Sequence, residues 1–378
     1  MLTGKHPTLD RRIWLRTTGA AALALGLGRK GVAQATDRDF RVLLLGDIHF
    51  DWLDLHDLAA LEADDRAGDV RQIQNYSRLT QEMVPNLFAE LRDQVRELDN
   101  VRLVAQTGDL IEGLSATPRL ARRMCLNTAA SIDAADLGVP FGFVKGNHEV
   151  TGPGSREAFD EVLLPWVGRQ LDVDATSGNF ATTEGDVTFV WFDAYQDSSL
   201  DWLEATLAQH PGQRIVCLVH IPVIPCSARS TWHIYARPDQ ADQRARILAA
   251  LGARNALVLC GHVHKNSVLQ RTTDAGTISQ ICTVSVIPRP QVNPKDHLEG
   301  LADYRTRLIE QEATFQPHSL EERRQVLLDE VAHIRSFRYA DAFGYAALRF
   351  RPGSIGLTQY TGLGRRVWQE LNLPFTAG

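Results

Sequence analysis

Between residues 41 and 264 one device recurs: a short apolar run, rich in Val, Leu, Ile or Phe, that stops at a carboxylate, amide or imidazole. The runs occupy 41–47, 101–109, 140–148, 214–220 and 256–262, with helix-like segments at 76–98, 118–137, 200–210 and 240–251 between them. A further strand is expected at 187–193, after the turn Glu184, Gly185, Asp186. Apolar runs that do not alternate with polar residues belong to strands covered on both faces. The chain therefore predicts an α/β layered fold, central β-sheets flanked by helices. In open α/β sheets ligands gather beyond the carboxyl ends of strands, so the polar groups at the run ends are expected to converge in space.

Those groups are Asp47 and His49, then Asp109, then Asn147 with His148 and Glu149, then His220, then His262 and His264. The i, i+2 spacing of 47/49 and of 262/264 points both side chains to one side of an extended backbone. Gly46, Gly108 and Gly146 give room for tight turns and close backbone approach as each strand ends. With its blocks in this order, the chain resembles the calcineurin-like metallophosphoesterase family. The family pattern D-x-H, G-D, G-N-H-[DE], H, G-H-x-H is matched at all five blocks, over roughly residues 40–265.

The resemblance implies a layered metallophosphoesterase fold with metal ligands at strand C-terminal ends. It implies two metal ions: Asp47, His49 and His264 on one, Asn147, His220 and His262 on the other, and Asp109 bridging them. Mixed oxygen and imidazole donors suit Fe, Mn, Zn or Co. Such a pair produces hydroxide from water near neutral pH and stabilises phosphoryl charge, which predicts a binuclear hydrolase of phosphate esters acting by metal-bound hydroxide attack on phosphorus, a phosphodiesterase or a phosphomonoesterase. By the same resemblance His148 faces the phosphate and protonates the leaving oxygen, work that suits an imidazole. Glu149 either orients a neighbouring imidazole or is a helix-start carboxylate. A metal- or ligand-binding protein on the same scaffold without turnover is the alternative reading, and hydrolysis of an acyl bond a third.

Departures from the pattern narrow the branch. Leu110, Ile111 and Glu112 follow Asp109 where purple acid phosphatases carry a tyrosine ligand, and Glu112 and Gly113 stand where protein Ser/Thr phosphatases carry an arginine. The segment after His264 is short for the substrate domain of the nucleotidase branch. Phe50, Trp52, His56, Trp232, His233 and Tyr235 follow ligand blocks closely. Of these His233 is the candidate substrate contact.

The N-terminus carries Arg11 and Arg12, a mildly apolar run over 17–28, and Ala33, Gln34, Ala35. This resembles a twin-arginine (Tat) signal with an A-x-A cleavage site, giving a signal peptide at 1–35 and a catalytic domain at 36–378. The expected partners are the Tat export machinery and a small phosphate-ester substrate, and the expected location is periplasmic or secreted. The apolar run is too short to span a bilayer, and no later segment is longer. Formal charge is −6 overall, and removing the first 35 residues leaves 34 Lys and Arg against 45 Asp and Glu, net −11. A chain this acidic lacks the basic footprint of nucleic-acid binding. The cysteines, Cys125, Cys217, Cys226, Cys260 and Cys282, are odd in number and widely spaced, so no disulfide framework follows. Beyond His264 a charged, helical insertion is expected at about 294–340, as a lid, a dimer interface or a decoration, and a hairpin at about 345–360 around Pro352, Gly353 and Ser354.

Overall fold

The computed structural model describes residues 38–285, 293–314 and 318–378. The twin-arginine segment and the boundary at 35 lie outside the described residues. The strands are β1 (Phe40–Leu45), β2 (Val101–Gln106), β3 (Phe141–Phe143), β4 (Phe180–Glu184), β5 (Val187–Phe192), β6 (Arg214–Val219) and β7 (Leu257–Cys260). They continue as β8 (Asn266–Thr273), β9 (Gly276–Cys282), β10 (Lys295–Glu299), β11 (Ile334–Asp341), β12 (Gly344–Arg351), β13 (Ser354–Thr361) and β14 (Arg366–Pro374).

They form a six-stranded sheet in the order β14-β13-β12-β1-β2-β3 and an eight-stranded sheet in the order β10-β11-β8-β9-β7-β6-β5-β4. At the heart of each, neighbours run parallel: β1 with β2 and β2 with β3 in the first, and β5, β6, β7 and β9 in succession in the second. The two sheets face one another. Phe40 of β1 stacks on Phe350 of β12 at 4.8 Å, and Phe189 of β5 meets Phe350 edge-on at 5.7 Å.

Period-two geometry explains why these strands are apolar throughout. In the large sheet Phe189, Trp191, Val216, Leu218, Leu257 and Leu259 point into the core shared with the small sheet. The residues between them, Val190, Phe192, Cys217, Val219, Val258 and Cys260, pack on the other face. There they meet Leu200, Leu203 and Leu207 of the helix Ser199–Gln209 and Ile247 and Leu251 of the helix Ala241–Gly252. The small sheet is covered in turn by Val84, Leu87, Phe88 and Leu91, the i, i+3, i+4, i+7 stripe of the helix Val84–Glu97. All five cysteines are buried and unpaired.

Two expectations are corrected. The helix expected over 76–98 is two helices, Ala67–Glu82 and Val84–Glu97, that break at Met83 (φ −114°). Pro85 has no N–H for the carbonyl four residues back and tolerates only the first turn of a helix, so a new helix starts there. The segment at 294–340 is not a helical insertion: it opens as β10 and closes as β11, both paired into the large sheet. The helices Gly300–Arg305, Arg307–Glu310 and Leu320–Val331 lie between. A register shift between Ile334 and Ser336 breaks the period-two signal of β11, and β10 carries the charges of an edge strand, so both read as solvated helix. The C-terminal hairpin is β12 and β13, and β14 pairs along it. Among the described residues no helix is long and apolar enough to cross a membrane.

Candidate metal centre

Every block singled out in the sequence leaves the C-terminal end of a parallel strand: 46–49 after β1, 108–112 after β2, 146–149 after β3, His220 after β6 and 261–264 after β7. The first two loops are sewn together, His49 N–H donating to Asp109 O (3.0 Å), Phe50 N–H to Leu110 O (2.8 Å) and Glu112 N–H to Phe50 O (3.0 Å). Turning so sharply costs backbone strain. His49, Asp109, His262 and His264 all sit at left-handed φ, 54°, 53°, 69° and 54°. Such conformations cost on the order of 1–3 kcal/mol each and persist where the surroundings over-determine them. Gly108, at φ 97°, also leaves space for a ligand, since a Cβ there would lie 2.6 Å from His220 Nδ1. At Gly146 a Cβ would lie 2.2 Å from Asp109 Oδ1.

The side chains converge in three groups, two of which share Asp109: Asp47, His49, Asp109 and His264, and Asp109, His220 and His262, while His49, Glu112 and His148 make the third. In the first, His264 Nε2 lies 2.9 Å from Asp47 Oδ2 and 3.3 Å from His49 Nε2. Asp47 is held by the N–H of His262, at 3.0 and 3.2 Å to its two oxygens. In the second, His220 Nε2 lies 3.0 Å from Asp109 Oδ2 and 3.1 Å from both Asn147 Oδ1 and His262 Nδ1. His220 Nδ1 donates to the carbonyl of Thr107 at 2.8 Å, which fixes the ring and aims Nε2 at Asp109. A carboxylate, an amide oxygen and imidazole lone pairs thus point at one another in a buried site. These donors could together hold a cation, and their types suit a borderline transition metal or zinc.

Within the cluster the titratable groups shift one another strongly. Burial opposes charge on His220, but Asp109 outweighs it and raises the imidazole to about 9. Burial likewise opposes ionisation of Asp109, yet His220 and His148 hold its carboxyl well below the usual range. His49 and His262 are pushed well down, first by burial and then by neighbouring imidazoles, so both present neutral rings.

Glu149 faces backbone: its carboxylate accepts the N–H groups of Asp109 (3.1 Å), Leu110 (2.8 Å), Ile111 (3.0 Å) and Gly146 (2.6 Å). It ties the loop after β2 to the loop after β3. His148 lies beside the cluster, its side chain 14% exposed and its Nε2 4.0 Å from Asp109 Oδ2. Its Nδ1 donates to the carbonyl of Glu112 at 2.5 Å, which leaves Nε2 on the side of Asp109. Burial opposes protonation of His148, but Asp109 and Glu112 raise its pKa.

Sequence reasoning missed Glu112 as part of the site, seeing only the place of an absent arginine. Its Oε2 lies 2.9 Å from His49 Nδ1 and 3.7 Å from His148 Nδ1. Its Oε1 accepts from Gln72 at 3.0 Å. Burial pushes this carboxyl up to about 8. The available signal was position: three residues beyond Asp109, on a loop that already carries a ligand. Tyr76, also missed, stacks on His49 at 4.2 Å.

The aromatic candidates divide. Trp232 tilts against the ring of His262 at 5.0 Å. His233 directs Nδ1 to the carbonyl of Ser230 at 2.7 Å, and burial, then Arg244, push it down to about 4. Phe50 and Trp52 stack together in the core. His56 lies 2.6 Å from Asp51 Oδ1 and 3.0 Å from Leu114 O.

A family model for calcineurin-like phosphoesterases matches residues 40–266, the stretch that supplies all of these ligand blocks. Among solved structures, a dimetal phosphatase from Danio rerio superposes with a TM-score of 0.50 at 14% identity, covering 89% of this chain and 99% of that one. The structure of PhoD superposes with a TM-score of 0.51 at 13% identity, covering 90% of this chain and 70% of that one. No curated protein matches in sequence. At those identities the structural likeness is one of fold, whereas the family match spans more than half of the chain and runs through every loop that carries a converging donor. The chain belongs to the calcineurin-like phosphoesterase family.

Proposed function

We propose that this protein is a metal-dependent hydrolase of phosphate esters with a two-ion centre. The observation that carries the proposal is the sharing of Asp109 between the two donor groups. In this reading Asp47, His49 and His264 hold one ion, Asn147, His220 and His262 the other, and Asp109 serves both. Two such ions supply Lewis acidity for phosphoryl charge and lower the pKa of water. Fe, Mn, Zn and Co all accept these ligands.

The remaining work falls to the chain's own residues. The Glu112 carbonyl fixes the ring of His148 through Nδ1, so the proton that His148 gives to the leaving oxygen is carried on Nε2, beside the shared Asp109. Glu112, against His49 Nδ1, sets the orientation of that ligand ring. Glu149 keeps Asp109 in place by gripping its backbone N–H. The preference between monoesters and diesters is a separate question. The rate ratio on matched chromogenic mono- and diesters, measured beside the metal content of the same preparation, tests the whole reading. Turnover of either ester in proportion to bound metal is expected. Two bound metals with no turnover of any phosphate ester would sink it and favour a binding protein on the same scaffold.

We also read the chain as exported through its twin-arginine segment. Replacing Arg11 and Arg12 by Lys should retain the protein in the cytoplasm. Unchanged localisation would refute export by that route.

A further inference from the structure

Beside His264 the ligand cluster opens into a cavity of about 310 Å³ whose walls include Tyr76, Arg229, Lys265, Glu312, Asp341 and Phe343. Four of these form a chain of ion pairs. Arg229 Nε lies 2.8 Å from Glu312 Oε2, Lys265 Nζ lies 4.0 Å from Glu312 Oε1, and Lys265 Nζ lies 3.0 Å from Asp341 Oδ2. Their side chains are 18–31% exposed. Partly exposed pairs of this kind contribute little to folding, so stability does not account for three of them meeting at the mouth of the centre.

The wall is held in place. Lys265 follows the ligand His264 directly and precedes Asn266, which pairs with Ala340 in the β8–β11 ladder, so Lys265 and Asp341 lie across from one another. Glu312 is placed by the buried guanidinium of Arg323, which donates to the carbonyls of Glu312 (2.8 Å), Ala313 (3.1 Å) and Ala228 (3.0 Å). Arg323 thereby clamps the 312–313 turn against the residue before Arg229. The second wall is Tyr76, whose ring stacks on His49. His148 meets that same His49 edge-on at 4.6 Å. The cavity and the proton donor therefore share one ligand ring as their neighbour.

We infer that this cavity receives the alcohol half of the substrate, and that the alcohol is a neutral polyol or sugar. The inference rests on the reading of the centre as a phosphate-ester hydrolase. Among the described residues the cations and carboxylates of this wall, Arg229 and Lys265 against Glu312 and Asp341, compensate, which disfavours a second phosphate or an ammonium group. It offers guanidinium and ammonium donors alternating with carboxylate acceptors, beside Phe343. A hydroxyl both donates and accepts, and a row of hydroxyls on one carbon chain can bridge Lys265, Glu312 and Asp341 while leaving C–H groups for the phenyl ring. The ion pairs leave some N–H groups and oxygen lone pairs over for water or hydroxyls, and an alkyl chain of the same length would displace that water without replacing its hydrogen bonds, a penalty that discriminates against it.

The test compares sorbitol 6-phosphate with hexyl phosphate, or the corresponding diesters if the metal-loaded protein cleaves those better. The two leaving alcohols differ only in hydroxyls. The native protein should favour the sorbitol ester in kcat/KM by about 100-fold or more. Lys265→Met and Asp341→Asn should each lower that ratio by about tenfold. Glu312→Gln, in the same chain of ion pairs, provides a further variant should either of these fail to fold, as judged by thermal unfolding. A ratio near one in the native protein, or a ratio unmoved in folded variants that still cleave hexyl phosphate, would overturn the assignment of the cavity and leave the hydrolase reading standing. No cleavage of any phosphate ester by the metal-loaded native protein would overturn both.

Discussion

The ligand cluster and the cavity wall beside it are built by different means. Around the ligands the backbone does the positioning: left-handed residues at 49, 109, 262 and 264, a glycine at 108 that makes room for His220, and a buried carboxylate, Glu149, spent entirely on main-chain N–H groups. In the wall, long flexible side chains position one another, Arg229 against Glu312 and Lys265 against Asp341. The first construction tolerates almost no change, because moving one loop moves every donor. The second can be altered one residue at a time. A chemistry kept constant and a substrate range that can shift would call for this division.

The comparison breaks most decisively at Asp109. Asp109→Asn keeps the shape but removes the shared charge, so metal content and activity should fall together, activity by a factor of about 10³ or more. Elemental analysis beside kinetics decides this. Full metal content in the variant would remove Asp109 from its shared place. His148→Ala comes next, with kcat down by about 10²–10⁴ and metal content largely retained, since its side chain stands outside the two donor groups. Loss of metal equal to that in His220→Ala would show that His148 is a ligand and that the division of roles is mistaken.

The same contrast governs what could be read from the sequence. The ligand blocks were legible because each closes a strand, and strands buried on both faces announce themselves by unbroken apolar runs such as those of β5 and β6. Local order along the chain sufficed to place Asp47, Asp109, Asn147, His220 and His262 at one edge. Glu112 was not legible, because its importance lies in contact with His49, a residue far away in sequence. The strand character of β11 was hidden by its register shift, and with it the fact that Asp341 would stand beside Lys265. The cavity wall is made of charged residues that a sequence presents as solvent-facing. Only pairing across the β8–β11 ladder turns them inward.

A smaller effect sharpens the backbone side of the comparison. Glu149→Gln retains size but replaces one acceptor oxygen by an amide donor, facing N–H groups of Asp109, Leu110, Ile111 and Gly146. An unmatched donor in a buried site costs on the order of 1–3 kcal/mol. The melting temperature should fall by several degrees, and metal affinity with it, because Asp109 loses its anchor. An unchanged melting temperature together with full metal affinity would mean that the loops hold their course without this tie.

The smallest effect belongs to His233, which stands outside both constructions. His233 sits near Arg244 and Glu330, and burial, then Arg244, lower its pKa to about 4, against an unperturbed value of about 6.5. Between those values the unfolded chain binds a proton that the native state refuses. Stability contributed by the neutral ring is therefore fully present above pH 6.5 and is lost as pH falls toward 4. Since the residue is partly exposed, the loss should be on the order of 2 kcal/mol rather than the full linkage value. His233→Asn, which keeps a side chain able to donate to the Ser230 carbonyl but cannot titrate, should flatten the fall in melting temperature across that window. Metal content should stay as in the native protein at pH 7, because His233 turns its Nδ1 to Ser230. If the acid limb kept its full slope in the variant, the proton uptake would lie at another group, and His233 would have no part in the acid sensitivity of the fold.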